Sequence, residues 1–531
     1  MNTRTTQLMP GLMTAGLILF LVIGALGALI NEASDLDIAS LWHDPYLRHI
    51  TGFSFTQALL STLLSTLPAI PVAYALSRRQ FPGKALLMRI FAMTLVLPVL
   101  VAVFGLLAIY GNNGLLASVL AQLGWQKSFS LYGLQGILLA HVFLNLPLAT
   151  RLFVQSLEGI PFEQHQLATH LGMSSWQTFR FVAWPRLRQQ LPHAIGLVFM
   201  LCFTSFAVIM ALGGGPKATT IELAIYQALR YDFDLAGGAI LALWQMLLCC
   251  SLVLLSQRFA KPLATSNQSV ANPRQSQFDS LASRCWDGCW IGLALLLVLP
   301  PLLSVVLAGL NSQTLDSLRS PGLWQAVQHS LQIASIASVL ALIGGTAILL
   351  TSRQWRLHHR RWQADGLDLI GTIILVTPGL VLSTGIFLLL RQFTDAFAAA
   401  FWVVIAVNAL MALPYVLKTL SQPMLHVAQQ YEPLCQSLGM SGLSRLKLVE
   451  WRALKKPFAQ SLAIGFVLSL GDLGAIALFG SQDFQTLPLY LFQLLGSYQM
   501  DAAAVAALLL LTLSLGLFSL VEKLIIRTPS C

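Results

Sequence analysis

Charged residues are scarce in this sequence: Asp, Glu, Lys and Arg make up 10% of its 531 positions, whereas hydrophobic residues make up 56%. Soluble domains carry about 25% charged residues, so the composition excludes a chain that folds wholly in water. The formal net charge of +10 comes from basic residues spread along the chain. They are not clustered as a nucleic-acid-binding surface requires.

The sequence also lacks the residues that several kinds of site need. It contains no Gly-x4-Gly-Lys-Ser/Thr phosphate-binding loop; the fragment from Pro82 to Ala85 lacks the first glycine and the hydroxyl residue. The seven cysteines form no disulfide framework, and no histidine accompanies Cys285 and Cys289 as a metal ligand would. We therefore expect no catalytic residues, no cofactor, no metal and no ATP hydrolysis by this chain.

Long apolar stretches are present instead. Stretches of about 20 apolar residues are long enough to cross a bilayer as helices. The sequence predicts twelve of them: 11–31, 53–76, 86–110, 133–155, 193–213, 236–256, 286–310, 323–351, 367–391, 397–419, 459–480 and 501–521. With the amino terminus inside, the outer segments hold few basic residues: Arg48, Lys127, Lys217, Arg230, Arg319 and Arg391. Because basic residues concentrate on the cytoplasmic side, this predicts an all-α, multi-pass protein with both termini in the cytoplasm.

One polar segment between the spans occurs twice, 267 residues apart. Residues 166–185 read QLATHLGMSSWQTFRFVAWP, and residues 433–452 read PLCQSLGMSGLSRLKLVEWR. At the same offset Pro147 matches Pro414. A proline followed by a glycine seven residues later also occurs earlier in each half, at 98–105 and at 378–385. The matches keep their order along the chain. We therefore predict two parallel repeats of six helices, related by an axis along the membrane normal.

A polar stretch separates the two repeats. Residues 257–285 are rich in Ser, Asn and Gln, which is typical of a flexible linker. The predicted domains are a first repeat of residues 1–256, a cytoplasmic linker of residues 257–285 and a second repeat of residues 286–531.

We expect each repeated segment to form a bent amphipathic helix outside the bilayer. The glycine at 172, and again at 439, permits the bend. An apolar face with no membrane to cover it is typical of a helix that docks in a groove on another protein; the alternative is an interfacial helix on lipid. The recurrence favours docking. The candidate docking residues are Gln166, Leu167, Ala168, Leu171, Gly172, Met173, Trp184 and Pro185, and Leu434, Leu438, Gly439, Met440 and Trp451.

Both segments resemble the signature loop of ABC-importer permeases, which reads Glu-Ala-Ala, three residues, Gly, nine residues, Ile-x-Leu-Pro. They depart from it in lacking the acidic first residue, and Arg452 replaces the last proline. Stretches such as FPGKALL, YGLQGILLAHVFLNLP, LGGGPKATTIELAIYQAL and SRLKLVEWRALKKP further resemble the fused thiamine permeases, in the branch that includes ferric-iron permeases.

This resemblance implies a type I ABC importer permease fold in a bacterial inner membrane. It implies two copies of a cytoplasmic ABC ATPase subunit as partners, together with a periplasmic thiamine-binding protein, and thiamine or its phosphates as substrate. Ferric iron, putrescine and phosphonate stay open as alternative substrates. An ion-coupled secondary transporter and a membrane enzyme are the alternative classes, but the spans hold few ionisable residues for either.

Asp472 is an acidic residue well inside the predicted span 459–480. A carboxylate near the bilayer centre costs about 2.5–3.5 kcal/mol and usually faces a cavity or a partner. We expect Asp472 and its counterpart Ser205 to line the translocation path; the alternative is an acid that bonds Ser469 in helix packing. The charged residues that follow span five are placed on the outer face, where a binding protein would meet them: Lys217, Glu222, Arg230, Asp232 and Asp234.

Overall fold

The computed structural model describes residues 2–33, 44–94, 96–125, 130–259, 280–375, 377–391, 399–440 and 445–526. These residues form helices joined by turns, and none of them lies in a β-strand. Most of the predicted linker falls outside the described residues, as does Lys127.

The helices up to residue 259 alternate between long apolar helices and short connecting ones. They are α1 (Asn2–Glu32), α2 (Pro45–Arg78), α3 (Lys84–Met93), α4 (Val99–Tyr110), α5 (Leu115–Gln122), α6 (Leu134–Glu158), α7 (Phe162–His170), α8 (Ser175–Thr178), α9 (Trp184–Phe203), α10 (Phe206–Leu212), α11 (Ile221–Arg230) and α12 (Leu235–Phe259). A π-helix, Phe179–Ala183, joins α8 to α9.

The remaining helices follow the same order. They are α13 (Leu281–Gly309), α14 (Thr314–Arg319), α15 (Pro321–Leu357), α16 (Arg361–Thr372), α17 (Gly379–Arg391), α18 (Ala400–Ser437), α19 (Trp451–Leu470), α20 (Gly474–Phe479), α21 (Leu487–Gly496) and α22 (Met500–Ile526). A second π-helix, Leu446–Glu450, precedes α19. Both π-helices, and the helices that follow them, begin 267 residues apart, which is the offset of the sequence repeat.

Ten helices within the described residues are long and apolar enough to cross a membrane, or eleven if α9 and α10, which meet at 51°, count as one span. The predicted spans at 86–110 and 367–391 are each interrupted, at Pro98 and at Pro378. Proline has no N–H to continue a helix and disfavours helical backbone in the residue before it. The continuous stretches that hydropathy predicts there are therefore pairs of shorter helices.

The described chain packs into two compact units. The first unit comprises Ala39–Thr220 and Ser251–Asn311, and the second comprises Met1–Ile38, Ile221–Cys250 and Ser312–Cys531. In the first unit α2, α6 and α9 pack together, and α13 packs on α2 and α4. In the second unit the equivalent helices α15, α18 and α19 pack together, and α1 packs on α15 and α17. Each unit thus contains the first helix of the other sequence half.

Two matched glycines allow this packing. A Cβ atom on Gly105 of α4 would lie 2.5 Å from the carbonyl oxygen of Pro301 in α13. A Cβ atom on Gly385 of α17 would lie 2.7 Å from the carbonyl oxygen of Ala25 in α1. Both distances are shorter than van der Waals contact, so each glycine permits a close helix approach that any side chain would prevent.

Candidate functional site

The first repeated segment is a short helix that ends in a tight turn. The N–H of Leu171 donates to the carbonyl of Leu167 at 3.0 Å, and the N–H of Met173 donates to the carbonyl of Ala168 at 3.0 Å. Gly172 between them has a left-handed φ of +63°. A glycine in this conformation with a hydrogen bond that reaches back five residues is the Schellman end of a helix.

The second repeated segment has the same turn. Leu438 donates to Leu434 at 3.1 Å, Met440 donates to Cys435 at 2.8 Å, and Gly439 has a φ of +62°. The segments differ before the turn. Gly159 and Pro161 separate α6 from α7, whereas α18 runs without a break through the corresponding positions to Ser437. The chain bends at each glycine as predicted, but the helix before Gly439 is the end of a long helix.

The predicted docking residues divide into an exposed and a buried set, and the division is the same in both segments. Leu171 and Leu438 expose 63% and 64% of their surface, and Leu167 and Leu434 are also exposed. Ala168 and its counterpart Cys435 are buried. The remaining exposed positions are Gln166, Gly172, Trp184, Pro185, Gly439 and Trp451, while Met173 and Met440 are half-buried. Each segment therefore presents an apolar surface without cover from the described chain.

Two aromatic residues of the first segment, Trp176 and Phe179, differ in their exposure. Trp176 is exposed, whereas Phe179 turns inward and its ring lies 5.0 Å from the ring of Tyr74 in α2. Burial lowers the pKa of His165 in α7 from its ordinary value. At neutral pH this histidine therefore adds no positive charge to the short helix.

Aromatic contacts hold the first segment to its unit. The ring of Tyr74 contacts Phe179, which lies between Trp176 and Trp184 at ring distances of 5.6 Å and 6.1 Å. The Tyr74 hydroxyl donates to the carbonyl of Ser175 at 3.3 Å. Rings at these distances attract one another beyond their burial alone. The segment thus rests on the cytoplasmic end that the sequence predicts for α2.

The ring of Tyr74 also contacts an arginine of its own helix. The guanidinium carbon of Arg78 lies 4.5 Å from the ring centroid. Arg78 and Arg79 both bind the buried carboxylate of Asp287 in α13, at 2.7 Å and 2.6 Å. The aromatic contacts of the first segment therefore connect to an ion-paired cluster between α2 and α13.

A buried ionic cluster holds the second segment. Glu450, the last residue of the second π-helix, accepts from Arg353 of α15 at 2.6 Å and from Arg445 at 2.9 Å. Its side chain is 3% exposed. The counterpart of Glu450 in the first segment is Ala183, so the two segments have the same glycine turn and different attachments.

Asp472 and Ser205 both lie where a helix breaks, between α19 and α20 and between α9 and α10. The two carboxylate oxygens of Asp472 accept from the N–H groups of Gly474 and Ala475, at 3.3 Å and 3.2 Å, and so cap α20. The hydroxyl of Ser469 bonds Asn408, at 3.0 Å, rather than the carboxylate. Ser205 makes no such bond to α10.

Glu222 is buried, contrary to the prediction from the sequence. We expected it on the outer face, but it is 3% exposed. It shares one face of α11 with Ile225, Tyr226 and Leu229, all of which are buried. These residues follow Glu222 at intervals of three, four and seven, so helical periodicity was the signal that could have found it. The neighbouring Asp232 and Asp234 are exposed, as expected.

Comparisons with known proteins agree with this architecture. The family model described as binding-protein-dependent transport system inner membrane component matches residues 69–264 and again residues 343–527. The thiamine transport system permease protein ThiP of Escherichia coli strain K12 is 52% identical over 99% of this chain and 98% of its own length. The protein of the same description from Salmonella typhimurium is 53% identical over 97% of this chain and 96% of its own length. The protein of the same description from Haemophilus influenzae is 40% identical over 96% of this chain and 95% of its own length.

Proposed function

Because this chain belongs to the family of binding-protein-dependent transport system inner membrane components, we propose that it is the membrane subunit of an importer for thiamine. The substrate follows from relatives more than 50% identical over nearly their whole length, both described as thiamine transport permeases. The observation that carries the proposal is the pair of glycine-ended segments with matched exposed leucines at 171 and 438.

We propose that these segments dock on a cytoplasmic ABC ATPase subunit, one segment on each of two copies. An exposed apolar helix face suits a groove on a protein partner. The identical turns at Gly172 and Gly439 support two equivalent docking sites. The chain itself has no phosphate-binding loop, so the partner would hydrolyse ATP and its closure would move the segments.

The orientation in the membrane is part of the same proposal. The distribution of basic residues supports cytoplasmic termini and cytoplasmic docking segments. A periplasmic thiamine-binding protein would then deliver the vitamin to the opposite face. The two family matches, one in each half of the chain, support two repeats at residues 1–256 and 286–531 with the linker at 257–285 between them.

We propose that Asp472 lines the translocation path, and that Ser205 is the neutral counterpart. Both residues lie in the short break between the two helices that follow a docking segment. A helix interruption exposes backbone polar groups and is tolerated inside a membrane where it lines a cavity or is covered by protein. The carboxylate of Asp472 would favour a cation such as thiamine over an anion.

Deletion of the gene for this chain in its own host tests the proposed function. We expect uptake of radiolabelled thiamine to be lost and then restored by the wild-type chain. The double variant Leu171→Gln, Leu438→Gln should fail to restore uptake and should purify without an ATPase subunit. The matched control Leu315→Gln, in an exposed apolar residue of α14, should restore both. Unchanged thiamine uptake in the deletion strain would contradict the proposal, and loss of ferric-iron uptake instead would identify the alternative substrate.

A further inference from the structure

Glu222 is a buried carboxylate without an ionic partner. It lies in the first turn of α11, is 3% exposed, and makes no ion pair with any residue of the described ranges. An isolated buried carboxylate is expensive, so it is either neutral or matched by a positive charge. No described residue forms an ion pair with Glu222, so if the carboxylate is charged, the matching cation would have to be a ligand.

Gln245 adds a second unsatisfied group at the same place. It is 1% exposed, its amide lies beside the carboxylate of Glu222, and neither amide atom has another hydrogen-bond partner among the described residues. Buried polar side chains are nearly always hydrogen-bonded, so an amide with no partner beyond a carboxylate that lacks an ion pair indicates a ligand position. Gln245 is also at the middle of the candidate span Leu235–Leu255, which puts this position within the bilayer.

The surroundings do not fit a metal ion. Cys249, one turn after Gln245, is buried close to Glu222, but the described residues contain no group of three His, Cys, Asp or Glu side chains that could hold a metal. One carboxylate and one amide among apolar side chains suit a singly charged organic cation, because such an ion loses less hydration free energy on burial than a small metal ion does.

The helix that carries Glu222 is fixed to the helix that Asp472 caps. α11 contacts α20, and Arg230 near the end of α11 donates to the carbonyl of Gly480 just after α20, at 2.9 Å. Both acids are thus contributed by one pair of contacting helices. Their counterparts in the other half of the sequence are neutral: Ser205 corresponds to Asp472, and Pro488 corresponds to Glu222 when residues 220–227, TIELAIYQ, are matched to residues 486–493, TLPLYLFQ.

We propose that Glu222 and Gln245 form a site on the translocation path for a permanently charged heteroaromatic cation, the chemical class of the thiazolium of thiamine. The carboxylate of Glu222 provides the countercharge. The amide N–H of Gln245 donates to that carboxylate, or its amide oxygen accepts a hydrogen bond from the ligand. The site rests on the proposed function and specifies which buried groups meet the substrate. A bound cation would give Glu222 an ionic partner and Gln245 a further hydrogen-bond partner, which the described residues do not provide.

The variant Glu222→Gln tests the site, because glutamine has the shape of a neutral glutamic acid. If the carboxylate meets a cation, the variant in the deletion host should reduce thiamine uptake roughly tenfold or more, as expected for the loss of one charged hydrogen bond in a buried site. Glu222→Asp, which keeps the charge, should retain more uptake than Glu222→Gln. The complex purified with its ATPase should still hydrolyse ATP when the loaded binding protein is added.

Asp232→Asn is the matched control, since it removes an exposed carboxylate just after the same helix, and it should leave uptake unchanged. Wild-type uptake by Glu222→Gln would overturn the site, because it would show that a neutral side chain suffices. Should Glu222→Gln fail to assemble, Gln245→Met decides: the site predicts a raised KM for thiamine, and unchanged kinetics would overturn it. If the wild-type chain itself restores no thiamine uptake, the proposed function fails instead.

Discussion

The Nη2 atom of Arg353 donates a 2.6 Å hydrogen bond to the Oε1 atom of Glu450, at the junction between the second docking segment and α19. Arg445 donates to the same oxygen. The first docking segment has Ala183 at this position and is held by the ring of Tyr74 against Phe179. Two segments with the same backbone turn are therefore fastened by different chemistry, one ionic and one aromatic.

Glu450→Gln should destabilise the protein through the ionic attachment. The substitution leaves two arginines without their anionic partner, and removal of one member of a buried ion pair costs about 3–5 kcal/mol. The midpoint of thermal unfolding in detergent should therefore fall clearly. Asp316→Asn is the control, because the Asp316–Arg319 pair is exposed and exposed pairs contribute little. Equal midpoints for both variants would contradict a stabilising role for the Glu450 cluster.

Tyr74→Ala should loosen the first segment without affecting the second. The substitution removes the ring that contacts Phe179 and the hydroxyl that bonds Ser175. Hydrogen exchange followed by mass spectrometry should speed up in residues 175–184 and stay unchanged in residues 446–451. Tyr74→Phe keeps the ring and should leave both segments close to wild type. A uniform increase in exchange across both segments would show that the attachments are not separate.

Gly172→Ala and Gly439→Ala should strain the two turns by equal amounts. Both glycines have left-handed φ angles near +60°, which cost other residues about 1–2 kcal/mol. A Cβ atom at either position would meet no neighbour within 4 Å, so backbone strain is the whole effect. Because the strained turn is the proposed docking element, each variant should co-purify with less ATPase subunit than the wild-type chain.

Gly366→Ala controls for the glycine substitutions. Gly366 lies within α16, and its Cβ position is also open. Alanine in a helix is more stable than glycine by about 0.5–1 kcal/mol. This variant should therefore purify with the full amount of ATPase subunit. Full recovery of the subunit with Gly172→Ala and Gly439→Ala would argue against the turn as the docking element.

Asp472→Asn separates the two roles that this carboxylate could have. The asparagine oxygen can still accept a backbone N–H at the start of α20, so the cap and the yield of folded protein should be largely retained. Thiamine uptake should fall, because the negative charge on the proposed path is gone. The comparison is the rate of labelled thiamine uptake at equal amounts of membrane-inserted protein. Normal uptake would remove Asp472 from the path.

The positions of most long helices and of the two repeated turns could be predicted from the sequence. A long apolar stretch must form a helix in lipid, because its backbone groups have no water to hydrogen-bond. The repeat at 166–185 and 433–452 identified the two turns, which have the same hydrogen bonds in the structure. The Pro98 and Pro378 matches were also visible. Their effect, a broken helix in each half, was missed because hydropathy averages over a short interruption.

The exchange of α1 and α13 between the units could not be predicted in this way. Any apolar helix can cover another, and hydropathy does not say which pair will meet. Gly105 and Gly385, which recur in the two halves, indicate close helix contacts at these positions. The sequence does not show that their partners are Pro301 and Ala25, which are far away along the chain. The same applies to Arg353 and Glu450, which are brought together by the packing of α15 against α19.

If another subunit supplies the work for thiamine import through this chain, transport into reconstituted vesicles must depend on that subunit. The purified chain would be inserted into liposomes with the ATPase subunit that co-purifies with it, and a thiamine-loaded binding protein would be added outside. We expect labelled thiamine to accumulate when ATP is present on the ATPase side, and accumulation to stop when either ATP or the ATPase subunit is omitted. Accumulation by the chain alone, without nucleotide or partner, would show that the proposed function is wrong.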